Sequence, residues 1–327
     1  MGNTVNVVII GGSGHWHIVT DAMKLCPDLR VLGIAPGRPE EDLSSLLSVL
    51  SAVPLYPDWR ELIELPGIDC AVVNPWFCDA ADVSIACLRQ GLNVYSEKPL
   101  ATETEALCRL EAAWRESGRA LGGMLNYRFF PWFLAMEQAV RAGEIGEIRQ
   151  IHAQKSYRMG NRPDFYRRRQ TMGGLLPWVG IHGIDWINAF AGKCLWVTAS
   201  HSRGENRGHG DMEVTSAALL QMENEVIATV TADYFRPDGS ARHDDDRLRI
   251  TGTRGMIEAM DGQVYLENEN PRRRLELPPM RNAFLAFHEA VQSRQADPFA
   301  ESALHITRVA LLARDSADQG GSLQIIR

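Results

Sequence analysis

The chain has 327 residues, 45% hydrophobic, 23% charged and 8% aromatic, the composition of a globular protein rather than of a disordered one. Its length favours two domains, because single cores tend to stop growing beyond about 250–300 residues. The formal net charge of −7 argues against nucleic acid and for a small-molecule partner.

No run approaches the roughly 18 consecutive apolar residues of a membrane helix, and the start lacks the basic segment and small-residue cleavage site of a signal peptide. No membrane partner is expected. The six cysteines form no C-x-x-C, and five of them fall in the first 110 residues amid apolar or helical-looking segments, which suits buried thiols in a reducing, cytoplasmic setting.

The first 125 residues alternate short apolar runs with helical spacing. Val5–Ile10, Leu29–Ala35, Cys70–Val73, Leu92–Tyr95 and Leu121–Asn126 read as buried strands, with helical stretches at Thr20–Cys26, Trp59–Leu65, Ala80–Gln90 and Glu103–Ser117 between them. This is the pattern of a parallel, Rossmann-type sheet with crossover helices. After a helix at Pro131–Ala142 the runs lengthen and alternate: Ile148–Tyr157, Val214–Gln221, Val226–Tyr234 and Leu248–Thr251. Met222–Glu225 reads as a hairpin connector, and Asp261-Gly262 as a turn between Met256–Met260 and Gln263–Glu267. Two helices, Ala283–Arg294 and Glu301–Asp315, close the chain. The expected fold is α/β: a parallel Rossmann domain over 1–124, then an α+β domain over 125–327 built on an open, mostly antiparallel sheet. An open apolar sheet face implies a homodimer or homotetramer. The basic runs Arg167–Arg169 and Arg272–Arg274 read as solvated loops or ion pairs, and Arg242–Arg247 as a solvated, internally paired turn.

Val5–Ile10 runs straight into Gly11-Gly12-Ser13-Gly14-His15-Trp16-His17. At a first strand-to-helix turn, glycines let backbone N–H groups approach a pyrophosphate, which the helix N-terminus then stabilises. Neither register completes G-x-G-x-x-G, so a glycine-rich turn without a ligand stands beside the dinucleotide reading. His15 and His17 lack further ligands nearby, and no metal is expected. After the second strand, where an acid would grip the adenosine ribose, stands Ala35-Pro36-Gly37-Arg38. Arg38 is either a partner for a 2′-phosphate, a lean towards NADP over NAD, or an exposed loop arginine.

Gly91–Ala101 places Glu97-Lys98-Pro99 directly after a buried strand. Lys98 is there a candidate proton donor to a reacting oxygen, or one half of a surface ion pair with Glu97.

In these motifs the sequence resembles the glucose–fructose oxidoreductase/inositol dehydrogenase (Gfo/Idh/MocA) family. Val72-Val73-Asn74-Pro75, Glu97-Lys98-Pro99, Asn126-Tyr127-Arg128-Phe129 and Gly143–Ile148 follow the family's order, as does Gly173–Asp185. The resemblance implies NAD or NADP as cofactor and hydride transfer to or from a carbonyl or secondary alcohol of a sugar, cyclitol or related molecule. It implies Lys98 and His182 as the groups that handle the proton of the reacting oxygen, with Gly11, Gly12, Ser13, Gly14, His15, Trp16, Arg38, Asn74, Pro75, Glu97, Lys98 and Asn126 about the cofactor. Substrate contacts fall to Lys98, Trp178, His182 and Asp185. Trp178 stands where the family carries an aspartate, and Asp185 matches a second acidic position that either anchors its helix or faces substrate. A cofactor-recycling lyase or hydrolase and a catalytically retired ligand-binding member are the alternatives. Trp76, Trp132 and Trp178 are candidates for an aromatic pocket or for ordinary core.

Overall fold

The computed structural model describes residues 4–326. They form two compact units: the chain through Asn126 with Gln170–Gly173 and Asn282–Thr307, and Tyr127–Arg169 with Gly174–Arg281 and the chain from Arg308 on.

The first unit carries β1 (Val5–Ile10), α1 (His17–Leu25), β2 (Leu29–Ala35), α2 (Ser44–Val49), α3 (Trp59–Leu62), β3 (Cys70–Val73), α4 (Ala80–Arg89), β4 (Asn93–Ser96), α5 (Thr104–Ser117) and β5 (Leu121–Gly123). The five strands pair in parallel in the order β2-β1-β3-β4-β5. β1 and β3 are almost wholly buried, as expected of strands covered on both faces. Local signals set the ends: the Asp58 carboxylate caps α3, and Gly118, at φ +60°, ends α5 in the left-handed conformation. β5 stops at Gly123, short of the expected Asn126, and the chain turns through a 3₁₀ segment at Asn126–Phe129.

The second unit contains α6 (Pro131–Arg141), β6 (Ile148–Ser156), a π-helical turn (Leu176–Gly180), and α8 (Ile181–Ala191); the short α7 (Arg169–Met172) straddles the division. There follow β7 (Cys194–Ser202), β8 (Thr215–Met222), β9 (Ile227–Asp233), β10 (Arg247–Gly252), β11 (Met256–Met260), β12 (Gln263–Glu267) and β13 (Arg273–Arg274). α9 (Ala283–Gln292) returns to the first unit, α10 (Asp297–Asp318) is divided between the two, and β14 (Gln324–Ile325) ends the second. In the first unit Phe284 and Phe287 of α9 pack on Tyr95 of β4 at 5.4 and 5.3 Å between ring centroids. Gly122 makes room for this, since a Cβ there would lie 2.8 Å from Phe287.

The nine-stranded sheet has the order β13-β12-β11-β10-β6-β9-β8-β7-β14, antiparallel except between β6 and β9. Burial alternates along β8 and β9, the period of a sheet covered on one face. α8 reaches that covered face through Gly183, where a Cβ would lie 2.9 Å from Val230 and 3.2 Å from Ala153. Leu195, Leu219 and Ile227 remain exposed. The sequence reading passed over β7 and read Arg272–Arg274 as a solvated loop or ion pairs; the ion pairs are present, Arg272 with Glu258 and Arg273 with Glu144, but the segment is not all loop. Arg273 and Arg274 instead pair with Leu266 and Tyr265 as an edge strand.

Candidate functional site

In the first unit the chain leaves β1 for β2 on one side and crosses back to β3 on the other. The crevice at the carboxyl ends of such diverging strands is where open α/β sheets bind ligands. The glycine-rich turn lies there. Gly11, at φ +87°, is pressed against the next strand end: a Cβ would fall 2.3 Å from the Asn74 carbonyl and the Pro75 nitrogen. The Ser13 N–H donates to the Asn74 carbonyl at 2.8 Å.

Gly14, at φ +73°, meets Glu97, whose Oε2 would lie 1.9 Å from a Cβ at this position. Glu97 is wholly buried. It accepts from the His15 and Lys98 backbone N–H groups, and His15 Nδ1 lies 2.9 and 3.0 Å from its two oxygens. Burial raises the Glu97 pKa, but His15 and the Lys98 ammonium outweigh it and hold the carboxylate below its usual range. The two motifs most informative in the sequence are thus bonded to each other. Lys98 is 2% exposed, which removes the surface ion pair as an account of it. Trp16 is half-buried, edge-on to His17. Asn74 is buried with Nδ2 on Met124 Sδ, and Oδ1 of both Asn74 and Asn126 is buried without a protein partner.

Glu41 was not singled out in the sequence. It lies six residues beyond β2 and is 8% exposed. Its Oε1 accepts from the Gly12 N–H at 3.1 Å and the Ser13 hydroxyl at 2.8 Å, and its Oε2 from the Gly37 N–H at 2.8 Å. Burial pushes its pKa up. Arg38 is held by Asp79 at 2.7 and 2.6 Å and lies over the Trp76 ring at 4.4 Å. It is therefore not the open loop arginine of the second sequence reading. This mixture of turn glycines, a carboxylate spanning two strand ends and orphaned amide oxygens fits a dinucleotide, which offers hydroxyls, a carboxamide and phosphates.

In the second unit the π turn carries Trp178, and α8 carries His182 and Asp185. The Leu175 N–H donates to buried Glu213 at 3.1 Å, and Arg169 binds both Glu213 and Asp318. His182 is 1% exposed, and the Tyr127 ring stands edge-on to it at 4.7 Å. Asp185 is wholly buried, with Oδ1 accepting from Arg128 Nε at 2.7 Å and Oδ2 without a protein partner. Burial raises its pKa against the opposing pull of Arg128. Trp178 is 7% exposed and edge-on to Tyr166. Of the three tryptophans considered, Trp76 lies beneath Arg38 in the first unit, while in the second Trp132 packs on Trp186 at 5.1 Å.

Beside His182 lies a charged cluster that the sequence reading missed. Lys155 is wholly buried, 2.5 Å from Asp246 Oδ2, with its ammonium 3.9, 4.7 and 5.1 Å from the ring centroids of Tyr127, Tyr157 and Trp186. The Tyr127 and Tyr157 hydroxyls are 3.2 Å apart. Burial opposes the Lys155 charge, yet Tyr127 and Asp246 hold its pKa above the ordinary lysine value. Asp246 corrects one expectation: Arg242–Arg247 is not wholly a solvated turn, because Asp246 points into this core and only its neighbours pair at the surface. The available signal was the alternation of β6, which puts Lys155 on the inward face with Ile151 and Ala153.

Residues 5–123 match the family described as oxidoreductase family, NAD-binding Rossmann fold, and residues 133–258 match the GFO/IDH/MocA C-terminal domain. A solved chain from Thermotoga maritima described as an oxidoreductase is 37% identical, with 98% of this chain and 100% of that one aligned at a TM-score of 0.94. Inositol 2-dehydrogenase 2 of Saccharopolyspora erythraea is 26% identical over 69% of this chain, and the match spans 66%, about two thirds, of that relative's length. Levoglucosan dehydrogenase, solved with NADH, is 18% identical, with 99% of each chain aligned and a TM-score of 0.83, a likeness of fold. The chain belongs to the Gfo/Idh/MocA family of oxidoreductases, with that family's NAD-binding Rossmann domain and its C-terminal domain both present.

Proposed function

We propose that the protein is an NAD(P)-dependent oxidoreductase acting on a carbonyl or secondary alcohol of a sugar, cyclitol or related small molecule. The observation that carries this reading is the bonding of the glycine-rich turn to buried Glu97-Lys98 at the carboxyl edge of a parallel sheet. The substrate class rests on the inositol dehydrogenases among its relatives.

When bound, the cofactor supplies or accepts the hydride; the protein's part is to bind, orient and handle a proton. Gly11 to Trp16 hold the dinucleotide's backbone, with Arg38 and Pro75 at its edge, and Asn74 and Asn126 offer acceptor oxygens towards the nicotinamide side. Glu97 fixes the turn and Lys98. Lys98 and His182 donate to the substrate oxygen and exchange its proton, assistance typically worth about 10²–10⁴-fold. Trp178 offers substrate an aromatic wall where a carboxylate would offer charge, and Asp185, held by Arg128, steadies the helix that presents His182. Residues 1–124, together with Asn126, serve the cofactor, and the rest of 125–327 the substrate. The protein works in the cytoplasm, a setting that suits thiols left out of disulfides; Cys70, Cys87 and Cys194 are buried as expected, whereas Cys26 and Cys78 are half-buried and Cys108 is exposed. It assembles as a homodimer or homotetramer through the sheet face bearing Leu195, Leu219 and Ile227.

Thermal shift against NAD(H) and NADP(H) tests the reading. A rise in melting temperature with at least one of them is expected, and no response to any would refute it.

A further inference from the structure

We propose that Arg162 selects an acidic substrate, a polyhydroxylated carboxylate such as a uronate or aldonate, by binding its carboxylate group beside Trp178 and His182. This rests on the oxidoreductase reading above and narrows its substrate class.

The pairing of β6 runs on past Ser156, with Tyr157 and Arg158 bridging to Asp244 and Phe235. The chain then turns at Gly160, φ +55°. Pro163 disfavours helical geometry at the residue before it and leads into the 3₁₀ turn Asp164–Arg167. Arg162 is half-buried between these two constraints. Its Cζ lies 4.6 Å from the centroid of the Tyr234 ring and 5.7 Å from that of Tyr166, and Nη2 donates to the Arg158 carbonyl at 3.0 Å. Both rings lead to the candidate site. Tyr166 stands edge-on to Trp178 at 6.0 Å. Tyr234 lies 6.4 Å from Tyr157, whose hydroxyl is 3.2 Å from that of Tyr127, the residue against His182.

A guanidinium carries five N–H donors, and the bond to Arg158 uses one. Nε is buried without a protein partner. Among the described residues no carboxylate pairs with Arg162: Asp164, two residues on, binds Arg167, and Asp244 binds Arg242. The charge acts on its neighbours instead. Burial raises the Tyr234 hydroxyl to about 12 with Arg162 pulling against it, and, after burial, Arg162 is the largest influence holding His243 below the usual imidazole range. A desolvated, unpaired donor is costly to maintain, and a ligand anion removes that cost. One positive charge matches the single charge of a carboxylate, whose two oxygens fit a guanidinium edge. A phosphate monoester carries about −1.5 to −2 at neutral pH and would leave charge unmatched.

Rates of NAD(P) reduction by the full chain test the proposal, with glucuronate set against glucose, galacturonate against galactose, gluconate against glucitol, and a hexose phosphate as the other anion, in wild type, Arg162→Met and Arg162→Lys. Wild type is expected to use at least one acid with kcat/KM about tenfold or more above its neutral counterpart, the lower end for charge-assisted hydrogen bonds. Arg162→Met should bring the two within about threefold, through a rise in KM for the acid, and Arg162→Lys, which keeps the charge without the fork, should fall between. Equal use of the neutral counterparts, preference for the hexose phosphate, or a preference unchanged in Arg162→Met with a native near-ultraviolet spectrum overturns the inference and leaves the oxidoreductase reading standing. Turnover of none of these compounds overturns the inference as well, and the thermal-shift response to the nucleotides then decides that reading separately.

Discussion

Lys155→Met is the sharpest test of the cluster beside His182. The ammonium is wholly buried, paired with Asp246 at 2.5 Å and faced by three aromatic rings. Methionine nearly refills the volume and keeps contact with the rings, so the dominant effect is electrostatic: the Asp246 carboxylate, 9% exposed with Oδ1 already lacking a protein partner, loses its counter-charge. Removing one partner of a buried pair typically costs about 3–5 kcal/mol. Replacing both partners by apolar groups is often close to neutral, so Lys155→Met/Asp246→Leu should recover most of that loss. Urea denaturation followed by near-ultraviolet circular dichroism of wild type, both singles and the double gives the coupling energy. A Lys155→Met loss below about 1 kcal/mol, the range of exposed pairs, or a double variant no more stable than the single, would refute the reasoning.

Gly14→Ala combines left-handed strain of about 1–2 kcal/mol with a methyl 1.9 Å from Glu97 Oε2. The displaced carboxylate gives up charge-assisted bonds worth about 1.5–3 kcal/mol each, so a loss of at least about 3 kcal/mol is expected in urea; an unchanged midpoint would contradict the packing described. Lys98→Ala should lower turnover by about 10²–10⁴-fold while NAD binding measured calorimetrically is retained, and unchanged turnover would remove Lys98 from the chemistry. Because the folded Glu97 pKa is depressed, its contribution to stability is present above the unfolded value near 4.5 and is lost as pH falls through the folded value. Glu97→Gln should therefore flatten the acid limb of stability against pH; an identical limb in the variant speaks against the His15–Glu97 pairing.

The parallel sheet and the two motifs at its carboxyl edge were legible because each leaves a local signature: continuous apolar runs, turn glycines, and a Glu-Lys-Pro after a strand. Their bonding to each other was not, since Gly14 and Glu97 are far apart in the chain and only the sheet order brings them together. Glu41 carries no local signal; in a run of loop carboxylates, only the return of the chain buries it. Arg38 was read from its place after β2, but its partner Asp79 lies beyond β3 and could not be named from spacing. Lys155 was within reach of the period-two argument, as a lysine on the inward register of β6. Asp246 was hidden by acidic neighbours that do face solvent. Residues whose roles depend on non-local partners were those the sequence left open.

The central claim is that this chain moves hydride between nicotinamide and a small hydroxylated substrate. The most direct measurement follows the absorbance of reduced nicotinamide while the protein and NAD or NADP are offered a panel of cyclitols and sugars, and the reduced cofactor is offered keto-sugars, with Lys98→Ala alongside. The account predicts a net change in that band with at least one compound, strongly reduced in Lys98→Ala. Product formed with no net change in the band, or a change equal in wild type and variant, would contradict it.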